Sequence, residues 1–192
     1  SPDTAPARRA EIIAEAAKLK SGPVRDLFEG YLPQTGERKL GGTPRPAAIL
    51  ARTGDAERGK QVYWSVNRMT CHTCHQIDGK GQAVGPDLSA IGKQRTREHL
   101  LESLLEPSKV VEPQYQNYTL TTADGRTLTG ILVKRDATGV TLKDAQNKTH
   151  VVGRDDIEKL SPARESLMPA GLLADLTAQE AADLLAFLAG RK

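Results

Sequence analysis

The feature that most constrains this chain is the pentapeptide CHTCH at residues 71–75, which holds its only two cysteines, Cys71 and Cys74. A disulfide across two intervening residues would close too small a loop to stabilise a fold. A structural zinc site needs a second pair of ligands at suitable spacing, but His99 and His150 lie far apart in unrelated patterns. A thioredoxin-like redox pair requires a βαβ setting, which the surrounding sequence does not have. We therefore favour the fourth interpretation, covalent attachment of haem c.

The spacing within the pentapeptide fits the chemistry of haem attachment. Cys71 and Cys74 can each form a thioether with one of the haem vinyl groups. His75 follows directly, so its imidazole would lie below the ring and can bind the iron. His72 would have to point away from the iron, and we interpret it as a solvated side chain. A buried haem would also supplement a core in which only 4% of the residues are aromatic.

Composition and charge exclude several other functions. Hydrophobic residues make up 38% and charged residues 27%, as in a soluble globular domain and unlike a disordered or fibrous chain. The formal net charge of +3 is too small and too dispersed for a nucleic-acid binder. No apolar run approaches the roughly 20 residues that span a bilayer. The first residues lack the layout of a signal peptide, so we expect any export signal to be removed or to lie outside this sequence.

Two amphipathic helices are predicted, one on each side of the pentapeptide. The upstream helix has Asp55 as its N-cap and places Gly59 and Tyr63 one turn apart on one face. The C-terminal helix begins with a capping box of Thr177 and Glu180. Its apolar positions repeat at helical spacing at Ala181, Leu184, Leu185 and Leu188. Because a glycine lets another helix cross closely, we expect Gly59 to contact this apolar face.

A second axial ligand must come from another part of the chain. Met168 lies in the loop sequence SLMPAGL, where a proline and a glycine prevent a regular helix. Met69 is too close to the pentapeptide in sequence to reach the opposite face of the haem. His99 and His150 are rival ligands, but the first lies on a leucine-rich helix and the second in a strand pattern. We therefore predict Met168 as the sixth ligand, with the filling of a core gap as its alternative role.

The segment VGPDL at residues 84–88 follows the pentapeptide closely. The carbonyl of Pro86 is well placed to accept the Nδ1 proton of His75, which would fix the tautomer and strengthen the ligand. The alternative is a simple loop proline.

Residues 114–160 show a different pattern from the helical segments. Runs that alternate or are rich in β-branched residues are separated by turn sequences such as DG and ATG. We predict a small antiparallel sheet or barrel-like subdomain here. Two roles stay open for it, a structural cover for one edge of the haem and a docking surface for a partner.

Residues 1–50 carry no chemistry that we can identify. The segment ARRAEIIAEAAKLK predicts an amphipathic helix, and a stretch punctuated by proline and glycine follows it. We interpret this region as a helical arm and linker.

Together these segments resemble the mono-haem class I cytochromes c, and more narrowly the haem-binding domain found in planctomycetes and Verrucomicrobia. The resemblance runs from about Val24 to the end of the chain. It rests on VRDLFEGYLP, GDAERGK, CHTCHQIDGKGQAVGPDL, LLESLLEPSKVVEPQY, DGRTLTGILV, SLMPAGL and LTAQEAADLLAFL. Carried over by position, it implies Cys71 and Cys74 as thioether sites and His75 and Met168 as axial ligands of one haem c.

The predicted fold class is a mainly α cytochrome c fold over residues 51–192, with residues 114–160 as an inserted β subdomain (α+β overall). The resemblance implies electron transfer rather than catalysis, with a dehydrogenase as partner or fused domain. The alternatives are a haem-based sensor or small-ligand-binding protein and, third, a peroxidase-like enzyme. Because haem c is attached on the outer side of the bacterial inner membrane, the resemblance also implies a periplasmic or secreted protein.

Overall fold

The computed structural model describes Glu11, Ile12 and Glu15 and residues 39–42, 44–65 and 71–192. The chain divides into two compact units, Ser1–Arg38 and Lys39–Lys192. In the first unit the three described residues are helical, and the remainder of the predicted arm up to Arg38 lies outside the described residues. Met69 also lies outside them.

The described part of the second unit contains five α-helices: α1 Pro46–Leu50, α2 Ala56–Tyr63, α3 Ile91–Gln94, α4 Arg97–Leu105 and α5 Ala178–Ala189. The caps predicted for α2 and α5 are present. The Asp55 side chain accepts a hydrogen bond from the Arg58 amide at 2.9 Å. The Thr177 hydroxyl accepts from the Glu180 amide at 3.1 Å, and the Glu180 carboxylate accepts from the Thr177 amide at 2.9 Å. Each cap satisfies amide groups that the helix itself leaves without a partner.

Helices α2 and α5 cross in close contact at Gly59, as the sequence predicts. A Cβ atom on Gly59 would lie 1.9 Å from the carbonyl oxygen of Asp183 in α5, so only glycine permits this approach. Asp183 is only 2% exposed. Its carboxylate accepts hydrogen bonds from the Asp55 amide and from Arg58 Nε, each at 2.7 Å. An ion pair that the apolar pattern did not indicate therefore fastens the start of α2 to α5.

The helices enclose an apolar core that is rich in leucine. Its buried members are Ile49, Tyr63, Ile77, Leu100, Leu101, Leu104, Leu173, Leu176, Ala181, Ala182, Leu184, Leu185, Phe187 and Leu188. Cys71 and Met168 are partly buried and pack against this same core. The apolar stripe predicted for the C-terminal helix is thus part of the core against which both sulfur-bearing side chains pack.

A five-stranded antiparallel sheet lies between α4 and α5 in the chain. Its strands are β3 Asn117–Thr122, β4 Thr127–Asp136, β5 Gly139–Lys143, β6 Thr149–Gly153 and β7 Ile157–Pro162, and the short hairpin strands β1 Gln76–Ile77 and β2 Lys80–Gly81 precede it. The strand order is β6-β5-β4-β3-β7, so the last strand returns to pair with β3. The sheet has a core of its own, formed by Leu120, Val140, Leu142 and Val152.

The prediction of a mainly α cytochrome c fold is wrong. Within the described residues, seven strands outnumber the five α-helices, and β4 alone has 10 residues. The prediction followed from two amphipathic helices, with the alternating segments taken as an insertion. The strands instead bury a separate apolar core between themselves.

Candidate functional site

The pentapeptide at residues 71–75 forms one tight turn. Cys71–Thr73 is a 3-10 helix. The Cys71 carbonyl accepts hydrogen bonds from the amides of Cys74 at 3.1 Å and His75 at 2.9 Å. These two main-chain hydrogen bonds close the pentapeptide into a single turn that carries both cysteines and the histidine.

The chain then returns beneath this turn. The amides of Val84 and Gly85 donate to the Cys74 carbonyl at 3.0 and 2.7 Å, and the Gln82 amide donates to the His72 carbonyl at 2.9 Å. The hairpin of β1 and β2 makes the reversal possible, because it turns through Asp78 and Gly79 with positive φ angles of 52° and 74°. The loop that follows is thus held against the pentapeptide by main-chain hydrogen bonds.

The imidazole of His75 is oriented by this returning loop. Its Nδ1 lies 2.8 Å from the Pro86 carbonyl oxygen, which can only accept, so Nδ1 donates and Nε2 keeps its lone pair. Burial lowers the pKa of His75 and outweighs the opposing effect of the Pro86 carbonyl. The neutral ring is the form that a metal binds. The hydrogen bond expected from the sequence is present, and its role toward iron stays a prediction.

Gly85 forms a cradle for the His75 ring. A Cβ atom at this position would lie 2.6 Å from Cε1 and 2.9 Å from Nδ1 of the imidazole. Any larger residue would therefore displace the ring from the Pro86 carbonyl. No sequence pattern marks Gly85, because its contact depends on the path by which the loop returns.

Tyr63, which precedes the pentapeptide in the chain, contacts the same histidine. Its side chain is fully buried, and its hydroxyl donates to the His75 carbonyl at 3.1 Å. Burial, followed by the nearby Cys71 and Asp87, raises the pKa of Tyr63 well above its usual range, so the hydroxyl keeps its proton. The sequence predicted Tyr63 only as a helix-face residue, because helical spacing says nothing about the partner of a hydroxyl.

The candidate sulfur groups lie on the helical core. Burial raises the pKa of the Cys71 thiol to about 11, so it is neutral near pH 7. A reactive redox cysteine has a lowered pKa instead, which argues against a thioredoxin-like role. Met168 is half-buried against the same core as Cys71. The structure thus gathers one thiol of the pentapeptide and the predicted sixth ligand around one apolar cluster.

The remaining histidines have other surroundings. The His99 side chain is exposed at the start of α4, with its Nδ1 3.3 Å from the Thr96 hydroxyl. The Nε2 of His150 lies 2.6 Å from a carboxylate oxygen of Asp144. His72 is half-buried and its ring lies beside Trp64 at a centroid distance of 5.6 Å, whereas the sequence analysis interpreted it as solvated.

These residues fit a covalently bound haem. Thiols three positions apart, a neutral imidazole seated in a glycine cradle and a thioether on the adjoining core form the donor set of a c-type haem. The described residues contain no group of three or more His, Cys, Asp or Glu side chains that could hold a metal ion by itself. The residues of this site are therefore of the kinds that a haem-binding protein uses.

The comparisons with known proteins identify the family. Residues 56–192 match the Cytochrome c family, and the chain belongs to that family. The family implies covalently bound haem c, and its domains are typically electron carriers that interact with redox partners. No curated protein matches the chain.

One similar solved structure is described as the crystal structure of the pleiotropic translational regulator Hfq. It is 20% identical over 36% of this chain and 98% of that chain, with a TM-score of 0.24. A similarity of that size carries no argument about fold or function.

Within the described residues, no helix combines the length and apolar character needed to cross a membrane.

Proposed function

We propose that this chain is an electron-transfer protein or module with a single haem c. Cys71 and Cys74 form the thioethers, and His75 and Met168 are the axial ligands. The observation that carries the proposal is the hydrogen bond of 2.8 Å from His75 Nδ1 to the Pro86 carbonyl, because it leaves Nε2 available to iron. The proposed relatives are the haem-binding domains of planctomycetes and Verrucomicrobia, and the proposed location is the periplasm or the exterior of a bacterial cell.

The haem, when bound, supplies a one-electron couple between Fe(II) and Fe(III). The residues of the chain set its properties. The soft thioether of Met168 favours Fe(II) and raises the reduction potential relative to harder ligands. The Pro86 carbonyl and the Tyr63 hydroxyl hold His75 in one orientation, so that little rearranges when the charge changes. The leucine-rich core excludes water from the same region.

Electron transfer fits the described residues better than catalysis does. In the proposed protein both cysteines are bound as thioethers, so neither thiol is available as a nucleophile. His150 and Asp144 contact each other in the sheet. Asp144 lies in the β5–β6 turn. This pair therefore does not belong to the core against which Cys71 and Met168 pack. We propose a dehydrogenase, separate or fused, as the source of electrons.

Covalent attachment is tested by denaturing electrophoresis followed by haem staining. The unaltered protein should keep haem, each single variant Cys71→Ser and Cys74→Ser should keep it through the remaining thioether, and the double variant should lose it. Removal of all haem from the unaltered protein by acid-acetone extraction would refute the covalent site. If reduced unaltered protein binds carbon monoxide as tightly as Met168→Ala does, a haem-based sensor replaces the electron carrier as the better function.

A further inference from the structure

The segment that leads to Met168 has no regular structure of its own. It follows β7, runs irregularly from residue 163 to 168, and includes neither a helix nor a strand. Backbone amide and carbonyl groups of such a segment need partners from other parts of the chain. Those partners determine where Met168 is held.

The first set of partners comes from the beginning of β3. The Ala163 amide donates to the Asn117 carbonyl at 2.8 Å. The side-chain amide of Gln116 donates to the Ala163 carbonyl at 2.8 Å. The side-chain amide of Asn117 donates to the Glu165 carbonyl at 3.1 Å. Two consecutive residues, Gln116 just before β3 and Asn117 at its start, therefore fix the backbone three to five positions before Met168.

A second set continues from the sheet to Met168 itself. The Ser166 amide donates to the Ser108 hydroxyl at 3.0 Å, just beyond the end of α4. The Ser166 hydroxyl accepts from the Met168 amide at 3.1 Å. The backbone of the methionine is thus connected through hydrogen bonds to the turn that follows α4, and the residues just before it are connected to the start of β3.

Asn117 is an unusual residue for its place in the sheet. It is only 6% exposed, and its Oδ1 is buried without a hydrogen-bond partner among the described residues. An unsatisfied buried carbonyl oxygen costs stability, and an apolar residue would avoid that cost. The Glu165 carbonyl can only accept, so the contact requires the NH2 group that asparagine supplies. The presence of asparagine at this position is therefore better explained by its contact with the segment before Met168 than by the requirements of β3.

We infer that Asn117 is a positioning residue for Met168, and that the five-stranded sheet holds the iron-ligating loop closed. This inference rests on the proposed function, in which Met168 binds the iron. The sheet then has a role beyond the cover or docking surface expected from the sequence, because β3 sets the position of an axial ligand.

Imidazole added to the ferric protein measures this role directly. It competes with Met168 for the iron, so its apparent affinity is proportional to the fraction of molecules in which Met168 has moved away. Loss of one buried hydrogen bond that holds the loop should increase that fraction about tenfold. The affinity is read from the optical spectrum of covalently loaded protein, together with the weak long-wavelength band produced by a methionine ligand.

The variants distinguish the loss of the Asn117 contact from a general destabilisation of the sheet. Asn117→Leu keeps the size of the side chain and removes its donor, and Gln116→Ala provides a milder test if the first variant does not fold. Asn147→Gly is the matched control. Asn147 lies in the β5–β6 turn of the same sheet, and its side chain donates to Gln82 at 2.5 Å on the His75 side. Glycine tolerates its φ of 63°.

The expected result is about tenfold tighter imidazole binding by Asn117→Leu, a smaller increase for Gln116→Ala, and unchanged binding by Asn147→Gly. Unchanged affinity in folded Asn117→Leu and Gln116→Ala would overturn the inference while leaving Met168 as ligand. An equal increase in Asn147→Gly would also overturn it, because general loosening of the sheet would then suffice. If the unaltered protein already binds imidazole as tightly as Met168→Ala, the proposed ligation fails, and the inference fails with it.

Discussion

The two sides of the candidate haem site are held in different ways. On the His75 side, the Pro86 carbonyl lies 11 residues after the imidazole that it orients. The Tyr63 hydroxyl lies only 12 residues before the His75 carbonyl to which it donates. On the Met168 side, Asn117 contacts Glu165 across 48 residues, and Ser108 contacts Ser166 across 58. One proposed ligand is positioned by its neighbours in sequence, and the other by a separate sheet.

This difference has consequences for stability. Closing a short loop costs less chain entropy than bringing together segments that are far apart in sequence. The His75 side can therefore form with the pentapeptide, whereas the Met168 side requires the sheet to be in place. Because the Met168 side depends on contacts between distant segments, we expect it to open before the His75 side.

The largest effect is expected from Gly85→Ala, which disrupts the His75 side, here called the local side because its contacts are close in sequence. The new Cβ would lie 2.6 Å from the His75 ring, so the ring must leave its hydrogen bond with Pro86. We expect a stability loss of about 1–3 kcal/mol, as for other overpacked sites, together with an altered haem spectrum. Urea unfolding followed by tryptophan fluorescence and visible absorption measures both.

Gly42→Ala is the matched control for Gly85→Ala, because no atom lies within 4 Å of the Cβ it would add. Its stability and spectrum should stay close to those of the unaltered protein. If Gly85→Ala behaved like this control, the local side would be more adaptable than its geometry indicates, and the contrast between the two sides would weaken.

The next largest effect is expected from Met168→Ala, which removes the ligand held at long range. In an electron carrier the iron stays six-coordinate in both oxidation states, so the unaltered reduced protein should bind carbon monoxide poorly. The variant should bind it readily and should have a lower reduction potential. Carbon monoxide titration and redox potentiometry measure these two changes, and Leu172→Ala serves as a control that shortens a neighbouring apolar side chain of the same loop.

Sequence reasoning succeeded where the contacts are local. A short spacing predicts the capping box of Thr177 and Glu180 and the hydrogen bond from His75 to Pro86. A small residue at helical periodicity predicts the glycine contact between α2 and α5. It failed where a contact depends on how distant segments meet. No spacing connects Asn117 with Glu165, and the separate core of the sheet joins residues from strands that are distant in sequence.

A smaller effect is expected from Tyr63→Phe, which weakens the local side without disturbing its packing. The variant keeps the buried ring and removes the hydroxyl that donates to the His75 carbonyl. Loss of this hydrogen bond should cost about 1–2 kcal/mol of unfolding free energy, with little change in carbon monoxide affinity. Tyr118→Phe is the control, because no hydrogen bond of the Tyr118 hydroxyl is found in the part of the chain that the structure describes. A large rise in carbon monoxide affinity in Tyr63→Phe would show that the two sides are coupled.

The smallest effect is expected from Lys143→Ala, where the sheet meets the local side. The Lys143 ammonium donates to the Ala83 carbonyl at 3.0 Å in an exposed position, so water can replace it at little cost. We expect a change of less than about 0.5 kcal/mol in stability, as for most exposed substitutions, and no change in carbon monoxide affinity. Thermal unfolding and carbon monoxide titration provide the measurement, with Lys148→Ala as control on the same turn. If Lys143→Ala instead released His75 and altered the haem spectrum, the sheet would be positioning both ligands, and the distinction between a local side and a long-range side would no longer hold.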